Sequence, residues 1–450
     1  MASSAQYSLL HFTFLIFFIS ILQLISPTFS TSRHALDHHK SKTGFRVTLT
    51  HVDAAKNLTK FERLQRAIVR GRHRLQKLSL MSLAAAAPGA QNSSEIDSPI
   101  HSGNGEFLMQ LSIGTPPKSY SAIMDTGSDL VWTQCKPCIN CYNQSTPVFE
   151  PKKSKSFSKL PCSNNFCRSI PTSSCRNETC EYLYTYGDES STQGLLATDT
   201  FTFGNISVKK VAFGCGLDNE GNGFNQGAGL VGLGRGSLSL VSQLDEPKFS
   251  YCLTSIDDSK TSTLMMGSSA SINISKNEIT TTPLIKNPLQ PTFYYLSLEG
   301  ITIGATRIPI RPSTFGVQKD GTGGLIIDSG TTITYLEEDV FDLVSKAFVS
   351  QVKLPVYDSP ETGLDLCFKL PSHAQKLKVP KMIFNFKGAD LNLPGENYIV
   401  ADSGMGVACL AMGSSSGISI LGNFQQQNLL VLHDLQKETI SFVPKECYKL

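Results

Sequence analysis

One four-residue pattern occurs twice in this chain, and it constrains the fold more than any other feature. Asp125-Thr126-Gly127-Ser128 follows the apolar run Ala122-Ile123-Met124, and Asp328-Ser329-Gly330-Thr331 follows Leu325-Ile326-Ile327. In each copy an apolar strand delivers a carboxylate into a tight Gly-containing turn, with hydroxyl side chains one and three positions after the Asp. Each copy then leads through a long excursion to an apolar-apolar-Gly triplet, Leu230-Val231-Gly232 in the first half and Ile420-Leu421-Gly422 in the second. A half-chain repeat of this kind implies two similar lobes meeting at a cleft, with one Asp from each. Either Asp alone reads as an Asx-turn at a strand end. Two carboxylates brought together do not both ionise, so one keeps its proton as an acid while the other acts as a base on water. A third tetrapeptide, Asp402-Ser403-Gly404-Met405, lacks the final hydroxyl and reads as a plain turn.

The rest of the chain fits an all-β body behind a basic leader. Beyond Ile100, short alternating segments such as Phe107 to Ile113 are punctuated by Gly, Pro, Asn and Ser, and the clearest helix candidate there is Glu337 to Val352. Apolar content of 40% can supply two cores, and disordered or collagen-like chains are excluded. Residues 1–99 carry 12 Lys+Arg against 5 Asp+Glu, whereas the remainder carries 28 against 32. Within the leader, Phe45 to Thr50 alternates like a strand. A basic run follows in which Leu64, Ile68, Leu75 and Leu78 interleave with Arg63, Arg66, Arg70, Arg72, Arg74 and Lys77 at helical spacing. Met81 to Ser98 has linker composition and is the expected region of processing. The apolar run Phe12 to Ile25 is short for a membrane span and reads as a secretory signal cleaved after Ser30, although no Lys or Arg precedes it.

All 12 cysteines lie between Cys135 and Cys447, an even number that in a secreted chain implies disulfides. The run Cys135-X-X-Cys138-X-X-Cys141 has metal-like spacing, but no downstream Cys/His pair completes it, so no metal is expected. Sequons stand at Asn57, Asn92, Asn143, Asn177, Asn205 and Asn273, the last four in the expected mature body.

These motifs, together with Gly114-Thr115-Pro116-Pro117, Trp132, Tyr186-Gly187-Asp188 and Ile420 to Phe424, resemble the pepsin-like aspartic proteases, most closely the plant nepenthesin-type branch, over residues ~100 to 450. The resemblance implies a bilobal all-β fold of two related barrel-like lobes with a central cleft and a few short helices. Its implied segments are a signal peptide 1–30, a propeptide 31–99, an N-terminal lobe 100–258 and a C-terminal lobe 259–450. It implies Asp125 and Asp328 as catalytic residues, Gly127 and Gly330 at the turns, Thr126 and Ser329 bonding across, and Ser128 and Thr331 on the outer carboxylate oxygens. It also implies a flap carrying Tyr186 and Gly187 over the cleft, against which Trp132 packs. For the cysteines it implies the pairs Cys135–Cys138, Cys141–Cys215, Cys162–Cys180, Cys167–Cys175, Cys252–Cys447 and Cys367–Cys409. The expected protein is thus a secreted or vacuolar acid endopeptidase made as a zymogen. It would be a monomer without cofactor, nucleic acid or membrane anchor, with proteins or peptides as substrates and its own propeptide as inhibitor, a Lys or Arg occupying the dyad. The same two-lobe body also serves secreted proteins that bind and inhibit foreign glycosidases, which makes a silent binder the competing expectation.

Overall fold

The computed structural model describes residues 44–85, 100–101, 106–186, 190–221, 224, 227–271, 279–311, 313–358, 360–371 and 377–450. The expected signal peptide, most of the expected processing region, Gly187, Asn92 and Asn273 lie outside them.

The leader segments form where their periodicities place them. Strand β1 (Phe45–His51) turns Phe45, Val47, Leu49 and His51 inward. Helix α1 (Lys60–Ala85) starts with a capping box: the Thr59 hydroxyl accepts from Glu62 N at 3.2 Å and the Glu62 carboxylate accepts from Thr59 N at 2.7 Å. Its buried stripe is Phe61, Leu64, Ala67, Ile68 and Leu78.

In the body, the principal strands are β2 (Phe107–Ile113), β3 (Lys118–Asp125), β4 (Trp132–Gln134), β5 (Thr179–Tyr186), β6 (Ser191–Phe203), β7 (Ile206–Glu220), β8 (Gly229–Gly232), β9 (Lys248–Cys252), β10 (Ser262–Met266), β11 (Thr280–Ile285), β12 (Tyr294–Leu296) and β13 (Leu325–Ile327). Helix α2 (Glu338–Gln351) buries Val340, Phe341, Val344 and Phe348, with Glu338 and Asp339 in its first turn. Strands β14 (Ser419–Leu421), β15 (Leu429–Asp434) and β16 (Thr439–Pro444) complete the set.

Two features of topology position the site. The repeated triplets pair parallel with the Asp-bearing strands: Gly232 lies opposite Asp125 on β8 and β3, and Leu421 opposite Ile327 on β14 and β13. At Gly232 and Gly422 the chain passes so close to the adjacent Asp turn that a Cβ would lie 2.4 Å from Asp129 O in the first half and 2.3 Å from Ile333 O in the second. Glycine is therefore required for the backbone approach. An antiparallel ladder then runs β2-β1-β10-β9-β15-β16-β11, so the leader's β1 is an interior strand of a sheet that also contains the chain's last strand.

Six disulfides form and no described cysteine is free, but four of the expected pairings change partners. The bonds are Cys135–Cys215 and Cys138–Cys141, not Cys135–Cys138 and Cys141–Cys215. The parallel register of β4 on β7 sets Thr133 opposite Cys215, and Cys135 N donates to Gly216 O, so the buried end of β4 already lies against Cys215. Cys138 and Cys141 are left to close a surface loop. Likewise the bonds are Cys162–Cys175 and Cys167–Cys180, not Cys162–Cys180 and Cys167–Cys175. Alternation along β5 buries Cys180 on the face of Tyr182, Tyr184 and Tyr186, and the short helix Asn165–Arg168 turns Cys167 inward to meet it. Cys252–Cys447 and Cys367–Cys409 form as expected. Asp402 ends a strand in a hairpin turn, its carboxylate accepting from Met405 N at 2.8 Å, which is an Asx-type turn. Asn57, Asn143, Asn177 and Asn205 are exposed.

Candidate active site

The two tetrapeptides meet. Thr126 Oγ1 accepts from Ser329 N at 2.9 Å, Ser329 Oγ accepts from Thr126 N at 3.2 Å, and the two hydroxyls are 3.2 Å apart, so the turns grip each other reciprocally. Within each turn the glycine amide donates back to its own Asp: Gly127 N to Asp125 Oδ1 and Gly330 N to Asp328 Oδ1, both at 3.0 Å. Thr331 Oγ1 donates to Asp328 Oδ2 at 2.6 Å. Ser128 in the first motif is fully buried, but its Oγ makes no hydrogen bond among the described residues, so the expected contact with the outer oxygen of Asp125 is not formed in this leader-bound state.

Neither carboxylate faces solvent, because α1 lies over both. Arg74 Nη2 donates to Asp328 Oδ2 at 2.5 Å and to Asp125 Oδ1 at 3.0 Å, and all three side chains are buried. Gly330 gives the guanidinium its seat, since a Cβ there would fall 2.1 Å from Arg74 Nη1. Burial pushes the Asp125 carboxyl above its ordinary range; the Arg74 charge pulls it down and the Asp328 charge pushes it up, and the net direction is up. Burial works against the charge on Arg74, but the two carboxylates outweigh it and hold the guanidinium more firmly protonated.

A second ionic cluster, not singled out by the sequence, anchors the leader beside the site. Arg70 bridges Asp53 at 2.8 Å and Glu106 at 3.2 Å, and Glu106 also accepts from Thr332 Oγ1 at 3.1 Å and lies 3.4 Å from His51 Nε2. Lys56 and Arg66 complete the ring round Asp53. Burial pushes Glu106 up, yet the Arg70 charge and the His51 and Thr332 contacts offset it and leave the carboxyl below its ordinary range. The available sequence signal was phase. Arg74 falls on the same helical face as Leu64, Ala67, Gly71 and Leu78, where a charged residue has no solvent to face.

Tyr186 ends β5, its ring buried against Trp132 at 6.5 Å, Tyr184 at 5.2 Å and Phe224 at 5.1 Å. Strands β5 and β6 pair antiparallel up to Thr185 and Ser191, with Tyr186 N donating to Ser190 O at 2.7 Å, and His101 pairs with Tyr186 in parallel.

Paired strand-end carboxylates on a duplicated all-β fold define an aspartic-protease architecture, and comparison with known proteins narrows this. The "Xylanase inhibitor N-terminal" family model matches residues 107–268, and the "Xylanase inhibitor C-terminal" model matches 293–444. The chain is 50% identical over 440 residues to aspartic proteinase nepenthesin-1 of Nepenthes gracilis, covering 97% of this chain and 98% of that one. It is 51% identical over 429 residues to nepenthesin-2 of the same plant, covering 94% and 95%. It is 40% identical over 420 residues to aspartyl protease family protein 2 of Arabidopsis thaliana, covering 89% and 85%. The crystal structure of edgp superposes with a TM-score of 0.63 at 18% identity (89% of this chain, 95% of that one), and basic 7S globulin from soybean with 0.60 at 20% (77% and 96%); these likenesses concern the fold alone. The chain belongs to the nepenthesin-type plant branch of the pepsin-like aspartic proteases. It is an aspartic-type endopeptidase, with peptides as its substrates.

Proposed function

We propose that this chain is made as a secreted zymogen and hydrolyses peptide bonds at acidic pH with Asp125 and Asp328 sharing one proton around an attacking water. The observation that carries the reading is Arg74 Nη2 bonded to both carboxylates at 3.0 and 2.5 Å from within the leader. In that state no water or substrate carbonyl can reach the pair. When the leader departs, the downward pull of Arg74 on Asp125 and the cover of α1 go with it, while the neighbouring carboxylate remains. One carboxyl then holds a proton and the other is free to take one from water as it attacks the peptide carbonyl; the acid protonates the developing oxyanion, and the carboxyl that took the water's proton passes it to the leaving amine.

The sign of the pH response follows. Glu106 sets it: with the leader's Arg70 alongside, this carboxyl lies below its ordinary range, so the leader's hold there is complete above that range and is lost as pH falls through the lowered value. Acid thus loosens the cluster that anchors α1 beside the dyad. The mature enzyme acts as a monomer in the apoplast or an acidic vacuole, in keeping with six disulfides and exposed sequons. Two whole Asp tetrapeptides in mutual contact favour this reading over a catalytically silent glycosidase binder.

The test is a set of variants of the full precursor, acidified and assayed on a peptide library. Asp125→Asn and Asp328→Asn should each nearly abolish cleavage without impairing secretion, the double variant should be little worse than either, and Asp402→Asn should match wild type. An Asp125→Asn protein cleaving at the wild-type rate would refute the dyad mechanism, whereas a wild-type protein that cleaves no peptide would favour the binder reading.

A further inference from the structure

Four residues after Asp125 the first motif places a third carboxylate, Asp129, where the second motif has Thr332. Its surroundings are built around it. Asp129 Oδ1 accepts from Gly236 N at 2.8 Å and Oδ2 accepts from Thr292 Oγ1 at 2.7 Å. The segment Gly232-Leu233-Gly234-Arg235-Gly236 wraps the residue: a Cβ at Gly234 would lie 2.4 Å from Asp129 Oδ1, and one at Gly236 2.2 Å from Oδ2. Alternate glycines therefore clear the space that the carboxylate fills.

The partner on the far side is what gives the contact its consequence. Thr292 lies two residues before Tyr294, and Tyr294 on β12 is the register partner of Ile327, the residue that precedes Asp328. Arg235 N donates to Thr292 O at 3.0 Å, and Tyr294 Oη donates to Leu233 O at 2.7 Å. Leu233 N in turn donates to Asp125 O at 2.8 Å. A continuous set of hydrogen bonds thus runs from the Asp125 turn through Asp129 and Thr292 to the strand that carries Asp328, separate from the Thr126–Ser329 grip.

We propose that Asp129, acting through Thr292, is a positioning residue of this active site that fixes the Asp125 turn against the Asp328 strand. It does not touch the reacting atoms. Its effect is on the separation of the two carboxylates, and a displacement of about 1 Å at such a pair costs on the order of a hundredfold in rate. This inference rests on the dyad reading above.

Full-length precursors carrying Asp129→Ala, Asp129→Asn, Thr292→Val and the Asp129→Ala/Thr292→Val pair would be matured by acidification and assayed for kcat and KM on one peptide, with Asp125→Asn as control. Asp129→Ala and Thr292→Val should each lower kcat by about tenfold or more, with KM within about twofold. The double variant should be no slower than the slower single one, since both remove the same tie. Asp129→Asn should stay within about threefold of wild type, because an amide oxygen still accepts from Gly236 and its NH2 can donate to Thr292 Oγ1. Wild-type kcat in folded Asp129→Ala or Thr292→Val, multiplying losses in the double variant, or an Asn variant as slow as the Ala one would each overturn the proposal. Where Asp129→Ala is not secreted, Thr292→Val decides. An active Asp125→Asn control would refute the dyad reading itself, a result distinguishable from any of these.

Discussion

His433 offers a measurement in which magnitude and sign both come from the structure. It lies on β15 in register with Phe249, its ring stacked on that phenyl at 4.3 Å and edge-on to Tyr294 at 4.7 Å, with no solvent exposure. Neither ring nitrogen has a hydrogen-bond partner. Burial, aided by the Arg235 charge, pushes its pKa from 6.5 down to about 3. Between those values the unfolded chain binds a proton that the folded chain refuses, so stability is full above 6.5 and falls as pH drops toward 3. At about 1.4 kcal/mol per pH unit, the loss at pH 4 is roughly 3 kcal/mol. His433→Phe keeps the stacking and has no proton to refuse. Relative to wild type it should be within about 1 kcal/mol at pH 7 and about 3 kcal/mol more stable at pH 4, aside from packing strain common to both. Urea unfolding followed by Trp132 fluorescence, in an Asp125→Asn background that prevents self-digestion, would read the difference. If the variant's advantage is the same at both pH values, His433 takes up its proton in the folded state and the reasoning is wrong.

Other outcomes follow from the same geometry. Arg74→Gln leaves the dyad without its buried cation, a change on the order of 3 kcal/mol or more; the precursor should mature at higher pH than wild type, read by gel over a pH series, with Arg74→Lys intermediate because an ammonium keeps the charge but lacks the planar group seated over Gly330. Gly422→Ala drives a methyl into Ile333 O and should cost about 2 kcal/mol or more in urea unfolding, or abolish secretion. Removing Cys252–Cys447, which closes a sequence separation of 195, should cost about 5 kcal/mol in the chain-entropy model against about 2 for Cys138–Cys141, with a separation of 3. Non-reducing peptide mapping should recover Cys135–Cys215 and Cys167–Cys180.

The elements legible in the sequence were those whose causes are local. An apolar strand running into Asp-hydroxyl-Gly carries its own turn chemistry, so Ala122 to Ser128 and Leu325 to Thr331 stood out, and alternation alone delimited Phe107–Ile113. Disulfide partners are different: whether Cys167 meets Cys175 or Cys180 depends on which face of β5 is buried and how a four-residue helix turns, and Cys spacing records neither. The basic run pointed to a helix, but choosing Arg74 among six Arg and Lys required the helix phase against a body not yet folded. Glu106 and Asp53 gave no sequence signal, because a carboxylate's partners across an interface leave no pattern along the chain.

The interior position of β1 means that cutting the chain beyond α1 does not by itself separate the leader from the body. Strand β1 is bonded on one edge to β2 and on the other to β10, so its departure opens two rows of backbone donors and acceptors at once. The precursor and the shortened chain are therefore different folding problems: the first carries its own template for the middle of the sheet, and the second inherits a shape it was not required to find alone. A matured protein that has been fully unfolded should recover far less readily than its precursor, and the history of the chain, not only its remaining sequence, then decides whether the fold is reached.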